Sequence, residues 1–152
     1  MRRLLLIGLV LVASASACTT IKSGTIGSGG VTSLNGSWEL TYISGPRIAF
    51  NGLYPGKKPL MNFDTGQKKV MGHSSCNSFS GQMAVDDTTI NLSGPMVSTK
   101  MACPGEGEMI FFEMLKKVNT YSITGDTTLN LMTGDIPVMK FRKTTSQQLS
   151  GN

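Results

Sequence analysis

From Leu34 onward, apolar and polar residues alternate with a period of two over short runs. In SWELTYIS, Trp38, Leu40 and Tyr42 fall on one face and Glu39, Thr41 and Ile43 on the other, the pattern of a half-buried strand. PLMNFD sets Leu60, Asn62 and Asp64 opposite Met61 and Phe63. KKVMG, GQMAV, TTINL and MVSTKM follow, punctuated by Asp64-Thr65-Gly66, Asp86-Asp87 and Ser93-Gly94-Pro95. Short strands joined by Gly and Asp turns predict antiparallel pairing. Between Gly45 and Pro59 lie three prolines and three glycines, so this stretch reads as a long surface loop.

One segment changes period. In PGEGEMIFFEMLKKVNTY, Ile110, Phe111, Met114, Leu115 and Val118 share one helical face. Glu106 and Glu108 stand near its start and Lys116-Lys117 at its end, which suits the helix dipole, and Pro104-Gly105 precede it. An amphipathic helix over about residues 105–118 is predicted, its apolar stripe covering a sheet. TYSI, TLNLM and PVMKFRK then form strands joined by Thr124-Gly125-Asp126 and Thr133-Gly134-Asp135, two Gly-containing hairpin turns. The fold class is α+β and mainly β: short antiparallel strands with one packed helix.

The N-terminus changes the picture of where this domain works. Arg2 and Arg3 precede the apolar run Leu4 to Val12, and small residues from Ala13 to Ala17 lead into Cys18. This is the grammar of an export signal, too short for the ~20 apolar residues of a membrane-spanning helix. It resembles a bacterial lipobox, with Ala15 where the commonest lipoboxes have Leu. The resemblance implies cleavage before Cys18 and lipidation of its sulfur. Several acyl chains would anchor durably, each buried methylene adding about 0.8 kcal/mol. Thr19 after Cys18 favours the outer membrane by analogy with enteric bacteria. Residues 1–17 are thus expected to be a signal peptide. Residues 18–33, rich in Gly, Ser and Thr, are expected to form a flexible tether of roughly 20 Å mean span. Residues 34–143 make a single domain, and 144–152 a polar tail.

The whole chain carries a formal charge of +5, which falls to +3 once Arg2 and Arg3 are removed with the signal. The lysine pairs 57–58, 68–69 and 116–117 are scattered and lack interleaved aromatics, so a nucleic-acid partner is excluded. Three cysteines are present. If lipid takes Cys18, then Cys76 and Cys103 remain, and two leftover thiols in an oxidising envelope pair most often with each other.

Cys76 lies in GHSSCNSFSG, three residues after the chain's single histidine, His73, and other chemistries need weighing there. As a nucleophile, Cys76 with His73 as base would also need an orienting group and an oxyanion site, and only Asn77 offers itself. As a structural zinc site, Cys76, Cys103 and His73 supply three ligands of four, with Asp86 or Asp87 to complete the set and no CxxC or HxxxH spacing in support. On its own, His73 reads as a solvated loop residue. The ten methionines form no MxxM or MxM cluster and read as adaptable core filler. Trp38 reads as a core or barrel-closing residue.

LNGSWEL, GHSSCNSFSG, STKMAC, EMIFFEMLKKVNTYSI, LNLM and VMKF occur in that order. The ordered set resembles the META domain, the family of the HslJ heat-shock protein, over Leu34 to about Arg142. The motif residues carrying the resemblance are Trp38, Gly72, Asn77, Gly81, Met101, Ala102 and the two cysteines. Ser75 departs from it, standing where the family usually has Gly; only Gly adopts positive φ at little cost. The resemblance implies a compact antiparallel, barrel-like sheet with a packed helix and no established enzymatic activity. It also puts Cys76 and Cys103 in two facing segments, as a disulfide staple, with Asn77 capping the adjacent turn through its own backbone. The functional expectation is a lipid-anchored, non-enzymatic, monomeric envelope protein without metal or cofactor. It would act in envelope support under stress by binding another envelope component. The alternative is a carrier holding a small apolar ligand inside a lipocalin-like barrel, which requires an apolar cavity of roughly 300 Å³ or more.

Overall fold

The computed structural model describes residues 30–144. The expected signal peptide, Cys18, most of the tether and the tail beyond residue 144 lie outside the described residues. In chain order the elements are α1 (Val31–Leu34), β1 (Gly36–Ile43), α2 (Phe50–Leu53), β2 (Leu60–Asp64), β3 (Lys69–His73) and β4 (Ser78–Gln82). Then come β5 (Ala84–Val85), β6 (Ile90–Asn91), β7 (Met96–Ser98), α3 (Gly107–Lys117), β8 (Thr120–Thr124), β9 (Thr128–Thr133) and β10 (Ile136–Thr144). Eight strands form one antiparallel sheet in the order β7-β4-β3-β2-β1-β10-β9-β8, and β5 pairs with β6 as a separate ribbon. The sheet is strongly β-rich but not closed, so the barrel expected from the resemblance is an open one. A single bridge, Thr89 to Thr120, touches the β8 edge.

The first and last strands pair with each other. β1 lies inside the sheet, between β2 and β10, with Ser37 opposite both Thr144 and Asn62. At this near end the chain rises from α1 into β1, and Trp38 Nε1 donates to the Leu34 carbonyl at 2.8 Å. The Lys143 ammonium sits 5.2 Å above the Trp38 ring, a cation–π contact over a fully buried indole. The far end of the strands carries the β3–β4 turn, the segment after β7 and the start of α3.

One buried cluster joins the sheet's inner face to α3 and α2: Trp38, Leu40, Phe63, Phe111, Leu115 and Phe141 are all at most 1% exposed. Phe111 and Leu115 come from the predicted helical stripe, and burying each contributes about 1.5–3 kcal/mol. Phe79 of β4 meets Phe111 and Phe112 with ring centroids 5.7 and 5.4 Å apart. The inner face is thus filled by side chains, and recesses of several hundred Å³ lie beside α3 and beside the far-end loops.

Four sequence expectations change. The alternation in β1 holds to Leu40 and then reverses: Ile43 is buried and Tyr42 is exposed. The cause is a bulge, since Leu40 pairs with Phe141 while Tyr42 pairs with Lys140. Within the expected surface loop, α2 forms and delivers Leu53 and Tyr54 to the core. The gap left between the predicted strands KKVMG and GQMAV narrows to Ser74–Asn77, because β3 runs on to His73 and β4 begins at Ser78. The methionines divide: Met61, Met83 and Met139 are buried, whereas Met71, Met101 and Met109 are exposed.

Candidate functional site

Gly72, Asn77, Met101, Ala102 and the two cysteines come together at the far end of the sheet, whereas Trp38 lies at the near end and Gly81 within β4, opposite Val70. β3 ends at His73 and β4 starts at Ser78, leaving four residues, Ser74 to Asn77, to reverse the chain. Ser74 donates to the Asn77 carbonyl through both its backbone N–H (2.8 Å) and its Oγ (3.1 Å). Ser75 takes φ +92°, a conformation that suits Gly and strains a residue bearing a Cβ. Cys76 is bonded to Cys103, so the turn is tied covalently to the segment that leads into α3.

Asn77 is the hub of the site. The residue is 3% exposed and its side chain, contrary to the expected local turn cap, reaches across to residues 99–108. Oδ1 accepts from the Met101 N–H and the Thr99 hydroxyl, each at 2.8 Å. Nδ2 donates to Glu108 Oε2 at 2.8 Å, to the Met101 carbonyl at 3.2 Å and to Cys103 Sγ at 3.1 Å. A primary amide has two N–H donors and one carbonyl oxygen, so its hydrogen-bonding capacity is fully used. Met101 contributes backbone here while its side chain is exposed, and Ala102 is exposed beside it. From α2, Tyr54 donates its hydroxyl to the Gly107 carbonyl at 2.9 Å, and burial raises its pKa. A recess of about 320 Å³ lies against these groups, lined by Tyr54, Lys57, Ser74, Cys76, Cys103 and Glu108.

His73 is not a solvated loop residue. It closes β3, paired with Leu60 and Ser78, and its Nδ1 is buried without a hydrogen-bond partner. Burial first, and the Lys57 cation second, lower its pKa from 6.5 to about 4. The unfolded chain therefore binds a proton between pH 6.5 and 4 that the folded chain refuses, so stability rises with pH across that window. Urea midpoints should fall as the pH is lowered from 6.5 towards 4, and His73→Gln should flatten that part of the slope.

The chemistry open to this arrangement is narrow. The Cys76 and Cys103 sulfurs are joined to each other and offer no thiolate to a substrate or a metal. Among the described residues, no group of three or more His, Cys, Asp and Glu is placed to hold a metal ion. What remains is a double fastening, covalent and hydrogen-bonded, between the β3–β4 turn and the front of α3. A profile of the META domain matches residues 31–146. The chain belongs to the META-domain family.

Two solved structures share the fold of this META domain. An NMR structure of a protein from Burkholderia xenovorans superposes with a TM-score of 0.59 at 22% identity, covering 76% of this chain and 86% of that one. A crystal structure of a DUF4847 family protein from Bacteroides vulgatus gives 0.50 at 16% identity, covering 74% and 96% respectively. No curated protein matches the chain.

The motif glycines of the META domain have packing causes. A Cβ at Gly72 would collide with the Leu60 carbonyl on β2, and one at Gly81 would lie 2.9 Å from Met96 Cγ on β7. Ser75 stands where the resemblance implies Gly, and its turn takes the backbone conformation that Gly would adopt without strain. Ser75→Gly should therefore raise the unfolding free energy by about 1 kcal/mol, measured by urea denaturation. Sequence reasoning missed Glu108 and Thr99 as partners of Asn77; a polar residue in the first helical turn after a Cys is too weak a signal to find them.

Proposed function

We propose that this META-domain protein is a lipid-anchored, non-enzymatic component of the bacterial cell envelope, held through Cys18 in the outer membrane, that supports the envelope under stress by binding another component. The observation that carries this reading is the state of the motif sulfurs: Cys76 and Cys103 form a fastening, which belongs to an oxidising compartment and removes the one candidate nucleophile. Asn77, the other reactive-looking motif residue, is fully occupied in the same fastening. A rigid far end joined to a tethered near end suits a binding module. A small-ligand carrier would have to use surface recesses, because side chains fill the inner face of the sheet.

Intact-mass analysis of native protein under non-reducing conditions tests the reading. The expected chain begins at Cys18, carries the added mass of acyl groups and lacks two hydrogens. A chain carrying three free, unmodified thiols would sink it. In the same strain, Cys18→Ser should shift the protein from the membrane to the soluble fraction and lose complementation of any envelope-stress phenotype of a deletion.

A further inference from the structure

Between the outer edge of β7 and α3 lies a groove of about 570 Å³. Leu92, Pro95, Phe112 and Leu115 make its apolar lining, and Met96 and Ser98 of β7 form one wall. The direction of the β7 backbone follows from its pairing. Thr99 donates its N–H to the Ser78 carbonyl, in the register that sets Val97 opposite Ser80. Antiparallel ladders alternate, so Val97 turns its N–H and C=O towards β4 while Met96 and Ser98 turn theirs away. β7 is the last strand of the sheet, so these four backbone groups point out of its edge, beside the groove that Met96 and Ser98 line, with no strand to receive them.

An unpaired strand edge beside an apolar trough is the arrangement that receives an extended peptide as an added strand. We propose that the β7–α3 groove is a peptide-binding site, taking an extended segment of another protein with alternating apolar side chains and a carboxylate near one end. The carboxylate follows from Lys116, which stands on the groove and makes no ion pair among the described residues. An acyl chain would fill the same trough but would bury the Met96 and Ser98 edge groups without hydrogen bonds, a penalty that a peptide backbone avoids. Three residues of edge limit the added ladder to a short stretch, which makes the interaction weak and reversible.

This deepens the binding-module reading and rests on it, but its test reads nothing about lipidation, so the two can fail separately. The full-length native chain is purified from whichever cell fraction holds it, with detergent present throughout. It is titrated with fluorescein-labelled seven-residue peptides that alternate threonine with valine, leucine, phenylalanine or tyrosine and end in aspartate. Saturable binding with a Kd on the order of 0.1 mM is expected for at least one peptide, with slowed amide hydrogen exchange at Met96 and Ser98. Lys116→Glu, a surface change, should weaken binding about tenfold, as should amidation of the peptide's carboxylates. Ser98→Pro removes an outward N–H, leaves the β4 ladder intact and should abolish binding. N-methylation of the peptide's alternate amides should do the same. The proposal is overturned if N-methylated peptide binds equally, or if no peptide of the panel protects residues 96 and 98 at about 1 mM. It is also overturned if palmitate displaces the peptides without protecting those amides, which assigns the groove to lipid. Protection that rises with protein concentration alone assigns the edge to a second copy and likewise overturns it.

Discussion

Asn77→Ala is expected to lower the unfolding free energy by about 3 kcal/mol, with a urea midpoint shift at unchanged m-value as the readout. The size follows from what the amide leaves behind. The Met101 N–H and carbonyl lose the partner that joined them, as do the Thr99 hydroxyl and Glu108 Oε2, in a part-buried setting that water refills only incompletely. Asn77→Asp separates the network from mere packing. It keeps the volume and the Oδ1 acceptor, but sets a second carboxylate oxygen against Glu108 Oε2, now 2.8 Å from Nδ2. At neutral pH it should cost more than Ala. In acid, where two facing carboxyls can share a proton, its deficit relative to Ala should shrink. Equal losses for Ala and Asp at every pH would mean that the amide's donors contribute nothing.

The second large effect is the loss of the covalent link. Replacing both cysteines, Cys76→Ser with Cys103→Ser, should cost about 3.5 kcal/mol on the chain-entropy model for a loop closed over 27 positions. Reduced wild-type protein should match the double variant in calorimetry, since both lose the same cross-link. Full retention of thermal stability after verified reduction would show that the Asn77 bonds alone hold the far end. Because Asn77 and the disulfide fasten the same two segments, removing both should cost less than the sum of the separate losses. Once the segment after β7 swings free, a second missing tie has little left to release.

The sequence shows most of this fold where the physics is local. β8 and β9 alternate cleanly, and the Gly125-Asp126 turn has positive φ at both residues (58° and 56°), the primed hairpin geometry its composition announces. The stripe of α3 places Phe111 and Leu115 inside, as read. The readings fail where a partner decides. Nothing in SWELTYIS announces the bulge that turns Ile43 inward, because the extra residue is defined only against β10. β4 is Ser-Phe-Ser-Gly-Gln, short of the apolar alternation that marks a strand, and gains its identity from β3 and β7 on either side. At the site, counting sulfurs and reading the motif suffice to pair Cys76 with Cys103. The reach of Asn77 to Met101 and Glu108 spans 24 and 31 residues, beyond what any local rule sees. The outward-facing edge of β7 is likewise visible only once its register with β4 is known.

The position of β1 governs when the molecule can come into being. Strand β1 is flanked on one side by β10, the last strand of the described residues, so half of its ladder waits for residues 136–144. A nascent chain lacking them leaves Leu40 and Trp38 beside an empty berth, and pairings this distant in sequence form late. Closing the β1–β10 ladder is therefore a late step, taken after the local hairpins β2–β3, β3–β4 and β8–β9 have formed.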